Sequence, residues 1–274
     1  MMDVAKVIRD GFRLWNRNHI MGMPYALSLL SAALAFAVSA IVVALAAAAS
    51  GPFAFFTILL VSAVMLIFFL VAVIVSQSYF QAAAVSMARK ANDGESLSWE
   101  DGYRAPQSGF FKVLIINVTV GAAIFAVMAG FAVAQMVLQV NLLFPVSLAA
   151  GCALMFSPFF AVLTDKDWGQ SVKAATVLAW RNKASVALLW AFISYVDALA
   201  LFILLPPSLL AAAALTPVIF LAGGQSAGGT ALLAIILAVV LYVAASVAFS
   251  VFVISPLATA WHLVAFNRLR GDDK

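Results

Sequence analysis

Long apolar runs, separated by short polar stretches, dominate the sequence. Six runs can be distinguished, at residues 20-49, 53-87, 110-140, 142-163, 184-221 and 230-266. A helix needs about 20 residues to cross the hydrocarbon core, so each run is long enough for one crossing, and the longest predict tilt or extension beyond the membrane. Pro206 and Pro207 interrupt the fifth run, where a shorter crossing over 184-205 is the alternative. The pattern predicts an all-α, polytopic membrane protein with six transmembrane helices.

Composition supports the same class. Apolar residues make up 66% of the chain and charged residues 9%, whereas soluble domains have about 45–50% and about 25%. The basic residues lie between the apolar runs, so the net charge of +4 does not indicate nucleic-acid binding. Cys152 is the single cysteine, which excludes an internal disulfide and a cluster of thiolate ligands. The first apolar run is much longer than the core of a signal peptide and predicts a retained span.

The connections between runs alternate between uncharged and basic. The breaks at 50-52, near Asn141 and at 223-229 carry no charge, and the glycine-rich 223-229 lacks the Lys-Ser/Thr ending of a phosphate loop. All 15 basic residues lie in the other four segments, if Lys112 at the start of the third run is counted with the connection before it. Cytoplasmic flanks of membrane helices collect Lys and Arg. Six spans with both termini in the cytoplasm place every basic residue on that side, whereas five or seven spans would divide them.

The basic segments that precede the odd-numbered runs resemble one another. One similarity is between Asp10-Gly11-Phe12-Arg13 and Asp101-Gly102-Tyr103-Arg104. Another is between Trp15-Asn16-Arg17-Asn18 and Trp180-Arg181-Asn182-Lys183. Two further stretches, at 98-101 and 164-167, match a box in which a hydroxyl and a carboxylate start a helix. These similarities indicate that one structural unit is repeated along the chain.

Apolar residues at helical spacing in these segments predict amphipathic helices that lie on the membrane surface, at 3-18, 98-108 and 166-182. Basic and aromatic side chains are the residues that anchor such helices at the interface. The expected anchors are Arg9, Arg13, Trp15, Arg17, Trp99, Arg104, Trp168, Lys173, Trp180, Arg181 and Trp261.

The even-numbered runs share a second motif. Ser157-Pro158 lies late in the fourth run and Ser255-Pro256 late in the sixth. Proline bends a membrane helix and frees a carbonyl, which a nearby hydroxyl helps to satisfy. We interpret both pairs as packing kinks, with a ligand site as the alternative. Together the motifs predict three pseudo-repeated hairpins, each consisting of a surface helix, a span, an outer turn and a second span.

The chain resembles the integral membrane domain attached to some glycerophosphoryl diester phosphodiesterases, and the stand-alone bacterial and archaeal relatives of that domain. The residues that carry the resemblance are Val7 to Phe12, Trp15 to Asn18, Gly94 to Tyr103, Ser171 to Asn182, Ser255-Pro256 and Asn267 to Arg270. Nothing here corresponds to the soluble catalytic domain of those enzymes. The resemblance therefore implies a fold and a place in the cytoplasmic membrane of a bacterium or archaeon, and does not imply phosphodiesterase activity.

One acid, Asp197, lies inside an apolar run. It follows Lys183 by 14 residues, which is about 21 Å along a helix, and an unpaired carboxylate at that depth is unfavourable. We expect the side chain to point into the bundle, neutral or hydrogen-bonded, and the candidate polar site consists of Asp197, Tyr195, Gln135 and Gln139. A group that handles protons or cations is one alternative, and a carboxyl near the outer membrane interface is another.

Two histidines lie near the basic ends of their runs. His19 neighbours Trp15, and His262 follows Trp261, so interfacial anchoring is expected and paired metal or haem ligation is the alternative. No nucleophile, base and orienting acid fall together in this topology. We therefore expect neither enzyme activity nor a cofactor or metal.

Two functions fit these features. The first is a non-enzymatic accessory or scaffold protein, whose partners are membrane lipids and another membrane protein or a second copy of the chain; its small-residue helices suit helix–helix packing. The second is a small transporter or lipid-handling protein that uses a cavity between hairpins with Asp197. Ion pathways usually contain more than one buried ionisable group, so a lipid substrate fits the second function better than an ion.

The topology can be tested with single cysteines in a Cys152→Ser background. Cysteines at Asn92 and Gln170 are expected to react with a membrane-impermeant thiol reagent only after the cells are opened, because both positions belong to basic, cytoplasmic segments. A cysteine at Gly228, in an uncharged connection, is the control that should react in intact cells. Strong labelling of position 92 or 170 in intact cells would contradict the six-span arrangement.

Overall fold

The part of the protein that the computed structural model describes is mostly helical and consists of residues 2-49, 54-138, 149-152, 154-200, 239, 242, 243 and 245-271. In chain order the helices are α1 (Val4–Arg17), α2 (Met23–Ala49, preceded by a 3-10 turn at His19–Gly22), α3 (Ala54–Asn92), α4 (Trp99–Tyr103), α5 (Gln107–Leu138), α6 (Ser157–Leu163), α7 (Trp168–Arg181), α8 (Lys183–Ala200) and α9 (Ser255–Gly271). The predicted all-α class is confirmed.

Four described stretches are long and apolar enough to cross a membrane, namely His19–Ala48, Phe55–Asn92, Lys183–Ala200 and Ala245–Gly271. Parts of the third to sixth predicted spans fall on 139-148 and 201-238, outside the described residues. In α3, the most apolar stretch has no buried residue. Apolar helices of this length that leave their side chains exposed are typical of a protein surrounded by lipid.

The buried core lies at one end of the helices. We call this the charged end, because α1, α4, α7 and the basic termini of α3 and α9 meet there. Val7 of α1, Ala88 of α3, Phe159 of α6, Ala175 of α7 and Phe266 of α9 belong to one cluster of buried apolar residues. The short helices are therefore integral parts of the fold, packed between the ends of the long ones.

Helices α1 and α7 are built alike. Each has 14 residues and begins at an aspartate, Asp3 or Asp167, whose carboxylate accepts a bond from a backbone N–H of the first turn. Each ends at an asparagine, Asn18 or Asn182, whose side-chain amide donates to the carbonyl four residues earlier, at 2.9 and 3.1 Å. The similarity predicted from the tryptophan motifs is thus found between these two helices. Its register is shifted by one residue, because Asn18 corresponds to Asn182 whereas the motifs align Trp15 with Trp180.

The middle segment differs from the prediction of a helix over 98-108. The helix α4 has five residues, Trp99–Tyr103, and α5 begins at Gln107 after Pro106. Proline disfavours helical backbone in the residue before it and has no N–H to donate. The predicted start at Ser98 is correct, because Ser98 and Asp101 form a reciprocal capping box.

The second predicted box, at 164-167, does not start a helix at Thr164. Thr164 instead ends α6, and its hydroxyl donates to the carbonyl of Phe160 at 2.6 Å. Asp167 starts α7, with its carboxylate 2.7 Å from the backbone nitrogen of Gln170. A hydroxyl that bonds backward within its own helix is not available to cap the next one.

The two Asp-Gly motifs join the short segments to the ends of long helices. In the first copy, Gly11 lies against Trp261 of α9, and the Asp10 carboxylate pairs with Arg268. A β-carbon at position 11 would lie 3.0 Å from the backbone nitrogen of Trp261 and closer still to its ring, so only glycine permits this approach. The indole N–H of Trp261 donates to the carbonyl of Ile8 at 2.9 Å.

In the second copy, Gly102 lies against Met23 at the start of α2, and Asp101 accepts a bond from Lys90 of α3 at 2.6 Å. The ammonium of Lys90, together with the backbone N–H and hydroxyl of Ser98, lowers the pKa of the Asp101 carboxyl below its ordinary value. Thus α4 packs against α3 and α7 packs against α6, in each case the helix that precedes it in the chain. The corresponding partner of α1 is α9.

Both serine–proline pairs lie at interruptions of a helix. The backbone turns at Met155 and Phe156, and α6 then begins at Ser157 with Pro158 in its first turn. Before α9, residues Ser250–Ile254 form a π-helical turn, in which the Ser255 N–H donates to the Ser250 carbonyl. Pro256 has no N–H for the usual bond four residues back, which is a common origin of such turns.

Replacing Gly11 with alanine should destabilise the protein by about 1–3 kcal/mol, because the new methyl group would overlap the ring and backbone of Trp261. For a chain of this size that corresponds to a fall in Tm of roughly 2–4 °C per kcal/mol, measured on purified protein in detergent. Gly130→Ala in α5 is the matched control, since a β-carbon there meets no atom within 4 Å. An equal Tm for both variants would show that α1 does not depend on this contact.

Candidate functional site

A cavity of about 810 Å³ lies between α2, α3, α5, α6 and α9. Most of its wall is apolar, with side chains such as Leu29, Val120 and Phe159. Polar side chains from four helices also reach it, namely Tyr25, Ser28, Gln77, Gln81, Asn117, Thr259 and His262. The volume is in the range of ligand-binding pockets, which are mostly apolar with a few polar groups that fix orientation.

Asn117 joins α5 to α3 at this cavity. Its amide nitrogen lies 2.9 Å from the hydroxyl of Ser78 and 3.2 Å from the side-chain oxygen of Gln81. The Ser78 hydroxyl in turn donates to the carbonyl of Ile74 at 2.7 Å. These bonds occupy the donors of Asn117 and leave its side-chain oxygen, together with the amide N–H groups of Gln81, available to a guest molecule.

Tyr25 and Thr259 join α2 to α9 on another side of the cavity through a hydrogen bond between their hydroxyls. His262 lies one turn further along α9, with Phe156 and Phe159 edge-on to its ring at centroid distances of 6.4 and 6.2 Å. Two polar contacts between helices, one at each of these sides, therefore hold the walls of the cavity in place.

The described lining contains no Lys, Arg, Asp or Glu. Within that part of the chain, Ser28, Gln77 and His262 also have no hydrogen-bond partner for their side chains. Such groups raise the free energy of an apolar cavity unless a molecule there bonds to them. The arrangement is suited to an uncharged polar group attached to an apolar body.

The predicted polar site around Asp197 differs from this cavity. Asp197 and Tyr195 are both exposed on α8, so the expectation that the carboxyl points into the bundle is wrong. Residues two apart on a helix point to different sides, and Tyr195 and Asp197 are not bonded to each other. The side chain of Gln135, and Gln139 as a whole, lie outside the described residues, so a grouping with them stays a prediction.

The predicted aromatic anchors divide into two groups. Trp99, Trp168 and Trp180 are exposed, with up to 74% of the residue accessible, as a side chain at a membrane interface would be. Trp15 is half-buried and contacts His19 at a centroid distance of 5.2 Å. Trp261 is not a surface anchor, because it is 3% exposed and fills the contact between α1 and α9.

The predicted basic anchors are exposed on the short segments. Arg9 and Arg13 each lie 3.9 Å from the Asp10 carboxylate, and Arg104 lies 3.3 Å from Glu100. Arg17, Lys173 and Arg181 are also exposed. Exposed pairs of this kind contribute little to stability, so these side chains remain able to contact lipid head groups.

Sequence reasoning missed the residues of the cavity. Gln77, Gln81 and Asn117 are amides inside otherwise apolar runs, and this is the signal that could have identified them, since polar groups in membrane helices usually face the protein interior. Their convergence depends on how α3 and α5 pack, which the spacing along one helix does not encode.

Comparisons with known proteins assign no family: no family model, curated protein or solved structure matches the chain. The resemblance to the membrane domain of glycerophosphoryl diester phosphodiesterases therefore stays a prediction, and the function rests on the geometry described above.

Proposed function

We propose that the protein is a non-enzymatic, six-span protein of the cytoplasmic membrane of a bacterium or archaeon, and that its cavity binds an uncharged amphipathic molecule of the bilayer. The cavity of about 810 Å³, with apolar walls and unoccupied hydrogen-bonding groups, is the observation that carries this proposal. It is the second of the two functions that fit the sequence, with the cavity amides in the place that Asp197 was expected to take.

The arrangement of helices supports the membrane topology. Besides the four span candidates, α5 is a further long helix, and its 32 residues extend about 48 Å. α2 packs against α3, α5 packs against α6, and Phe192 of α8 contacts Trp261 of α9 at a centroid distance of 5.2 Å. These are the pairs expected of three hairpins. The basic residues gather at the charged end, which we assign to the cytoplasm because Lys and Arg collect there.

The uncharged lining supports a neutral guest. A phosphate or carboxylate in this cavity would have no described counter-charge, and an unpaired charge in a low-dielectric site is strongly unfavourable. A hydroxyl can instead donate to the side-chain oxygen of Asn117, and an ester or ketone oxygen can accept from the amide of Gln81 or from His262, without that penalty. Diacylglycerols, polyprenols and quinones share this chemistry.

The position of the cavity supports entry from the bilayer. Leu29 of α2 and Ile74 of α3 line it and are 40% and 36% exposed, so this cavity is open at its apolar wall. The cavity therefore reaches the surface that we assign to the hydrocarbon. A molecule already dissolved in the membrane can enter there without passing through water.

Photo-crosslinking with a diazirine-labelled diacylglycerol tests this proposal. The probe is expected to label peptides that contain Tyr25 to Ala32 and Gln77 to Gln81. Gln77→Leu removes a polar group that makes no described hydrogen bond, so it should leave folding intact and reduce labelling by about 5- to 10-fold, which corresponds to the loss of about one hydrogen bond. Thr119→Val, on the exposed side of α5, is the matched control and should leave labelling unchanged.

A diazirine-labelled phosphatidylglycerol serves as the charged comparison and is expected to label the cavity peptides weakly. The proposal is contradicted if both probes label all exposed faces of α2 and α3 evenly, or if Gln77→Leu and Thr119→Val behave alike. Equal labelling of the cavity by both probes would contradict the neutral class of the guest.

An accessory role, in which α8 assembles with another membrane helix, is the second candidate. Asp197 favours it, because the carboxylate is exposed about 21 Å along α8 from Lys183. A carboxylate at that depth is unfavourable against lipid, and a polar side chain of a partner would satisfy it. Another membrane protein and a second copy of this chain both fit.

Replacing Asp197 separates an intramolecular role from an assembly role. Asp197→Asn and Asp197→Leu should both keep the Tm of the purified protein, since the described residues give this carboxyl no partner. A hydrogen bond within the bundle would be worth about 1 kcal/mol and would lower the Tm of the leucine variant by roughly 2–4 °C. If crosslinking in membranes gives the same species for wild type and Asp197→Leu, the assembly role is contradicted.

A further inference from the structure

A second cavity, of about 510 Å³, lies at the charged end between α1, the turn after α3, and α9. We call it the basic cleft. Three arginines line it, Arg13 and Arg17 from α1 and Arg268 from α9, together with one carboxylate, Asp10. The lining therefore carries two net positive charges, in contrast to the uncharged cavity within the bundle.

Asp10 positions the arginines without using all of their donors. Its carboxylate pairs with Arg268, and it lies 3.9 Å from the Arg13 guanidinium, which is longer than a hydrogen bond. A guanidinium has five N–H donors, so most of those on Arg13 and Arg268 stay available. The described residues form no ion pair with Arg17, and its side chain is exposed.

The rest of the lining suits an anion that carries an apolar part. Asn18 and Asn267 add amides beside the arginines, while Leu14, Ala91 and Val264 form an apolar floor. Gly94, at φ 80°, adopts the left-handed conformation that turns the chain at the edge of the cleft. Phe12, next to Arg13, is 48% exposed, and an exposed apolar side chain beside a basic one is typical of helices that lie at the membrane interface.

We propose that the basic cleft binds a phosphate group, supplied either by the head group of an anionic phospholipid or by a soluble phosphate compound. Planar guanidinium groups bind phosphate oxygens through paired, charge-assisted hydrogen bonds. Basic pockets at the cytoplasmic side of membrane proteins bind anionic head groups in this way. The basic cleft is separate from the uncharged cavity. The proposal of a phosphate site does not depend on the proposed function.

The proposal is tested by titrating purified protein in neutral detergent with dioctanoyl phosphatidylglycerol. Binding is measured as the rise in the Tm of the protein. The double variant Arg13→Gln/Arg17→Gln is expected to bind the probe about tenfold or more weakly, because two charged donors are removed. Arg9→Gln/Arg104→Gln removes the same charge from exposed arginines that do not line the cleft, and should weaken binding by less than about twofold. Arg13→Lys/Arg17→Lys keeps the charge and should lose part of the affinity, because an ammonium lacks the paired geometry.

Inorganic phosphate distinguishes the two sources. If it competes with the probe at millimolar concentration, the ligand is a soluble phosphate compound; if it does not compete, the ligand is a phospholipid. Both results support a phosphate site. Equal loss of affinity in the two double glutamine variants would instead show attraction by overall charge and overturn the proposal. It would also be overturned if dioctanoylglycerol, which has no phosphate, bound with the same dependence on Arg13 and Arg17.

Discussion

The contact between Gly11 and Trp261 connects the first helix of the chain to the last, and the rest of the structure depends on it. The absence of a side chain at position 11 lets α1 approach the backbone of α9. The indole of Trp261 then bonds to α1, and Asp10 pairs with Arg268. Because α9 carries Thr259 and His262, a contact at the charged end sets the position of one wall of the cavity within the bundle.

The distribution of buried residues follows from the two solvents around the protein. Lipid tails are as apolar as leucine, so burying the middle of a membrane helix gains little from the hydrophobic effect. At the charged end water is present, and removal of apolar surface from water is favourable. The buried residues are accordingly concentrated in α6, in α9 and at the charged end of α3, while the most apolar stretches of α2 and α3 stay exposed. A firm core at one end lets the helices hold a cavity between them.

The sequence predicted well those features that are local. The bounds of α1 and α7 follow from an aspartate, helical spacing and a terminal asparagine, and all of these are readable along the chain. The sequence did not predict whether a residue is buried or exposed where this depends on contacts with another helix. Trp261 has the position of an interfacial anchor, and only the glycine across from it shows that it is buried. We expected Asp197 to point into the bundle because an unpaired carboxylate is unfavourable in lipid, but its side chain is exposed on α8. Asn117 and Gln81 meet across two helices, so no pattern along either helix predicted their bond.

The π-helical turn at Ser250–Ile254 changes the phase of the last helix. Such a turn holds one residue more than an α-helical turn, and each residue of a helix rotates the side-chain direction by about 100°. Side chains before Ser250 therefore occupy a face rotated by about a quarter of a revolution from the one that a continuous helix through α9 would give them. The extra residue lets one helix present two differently oriented surfaces, with Val251 on the cavity wall at the point where the orientation changes.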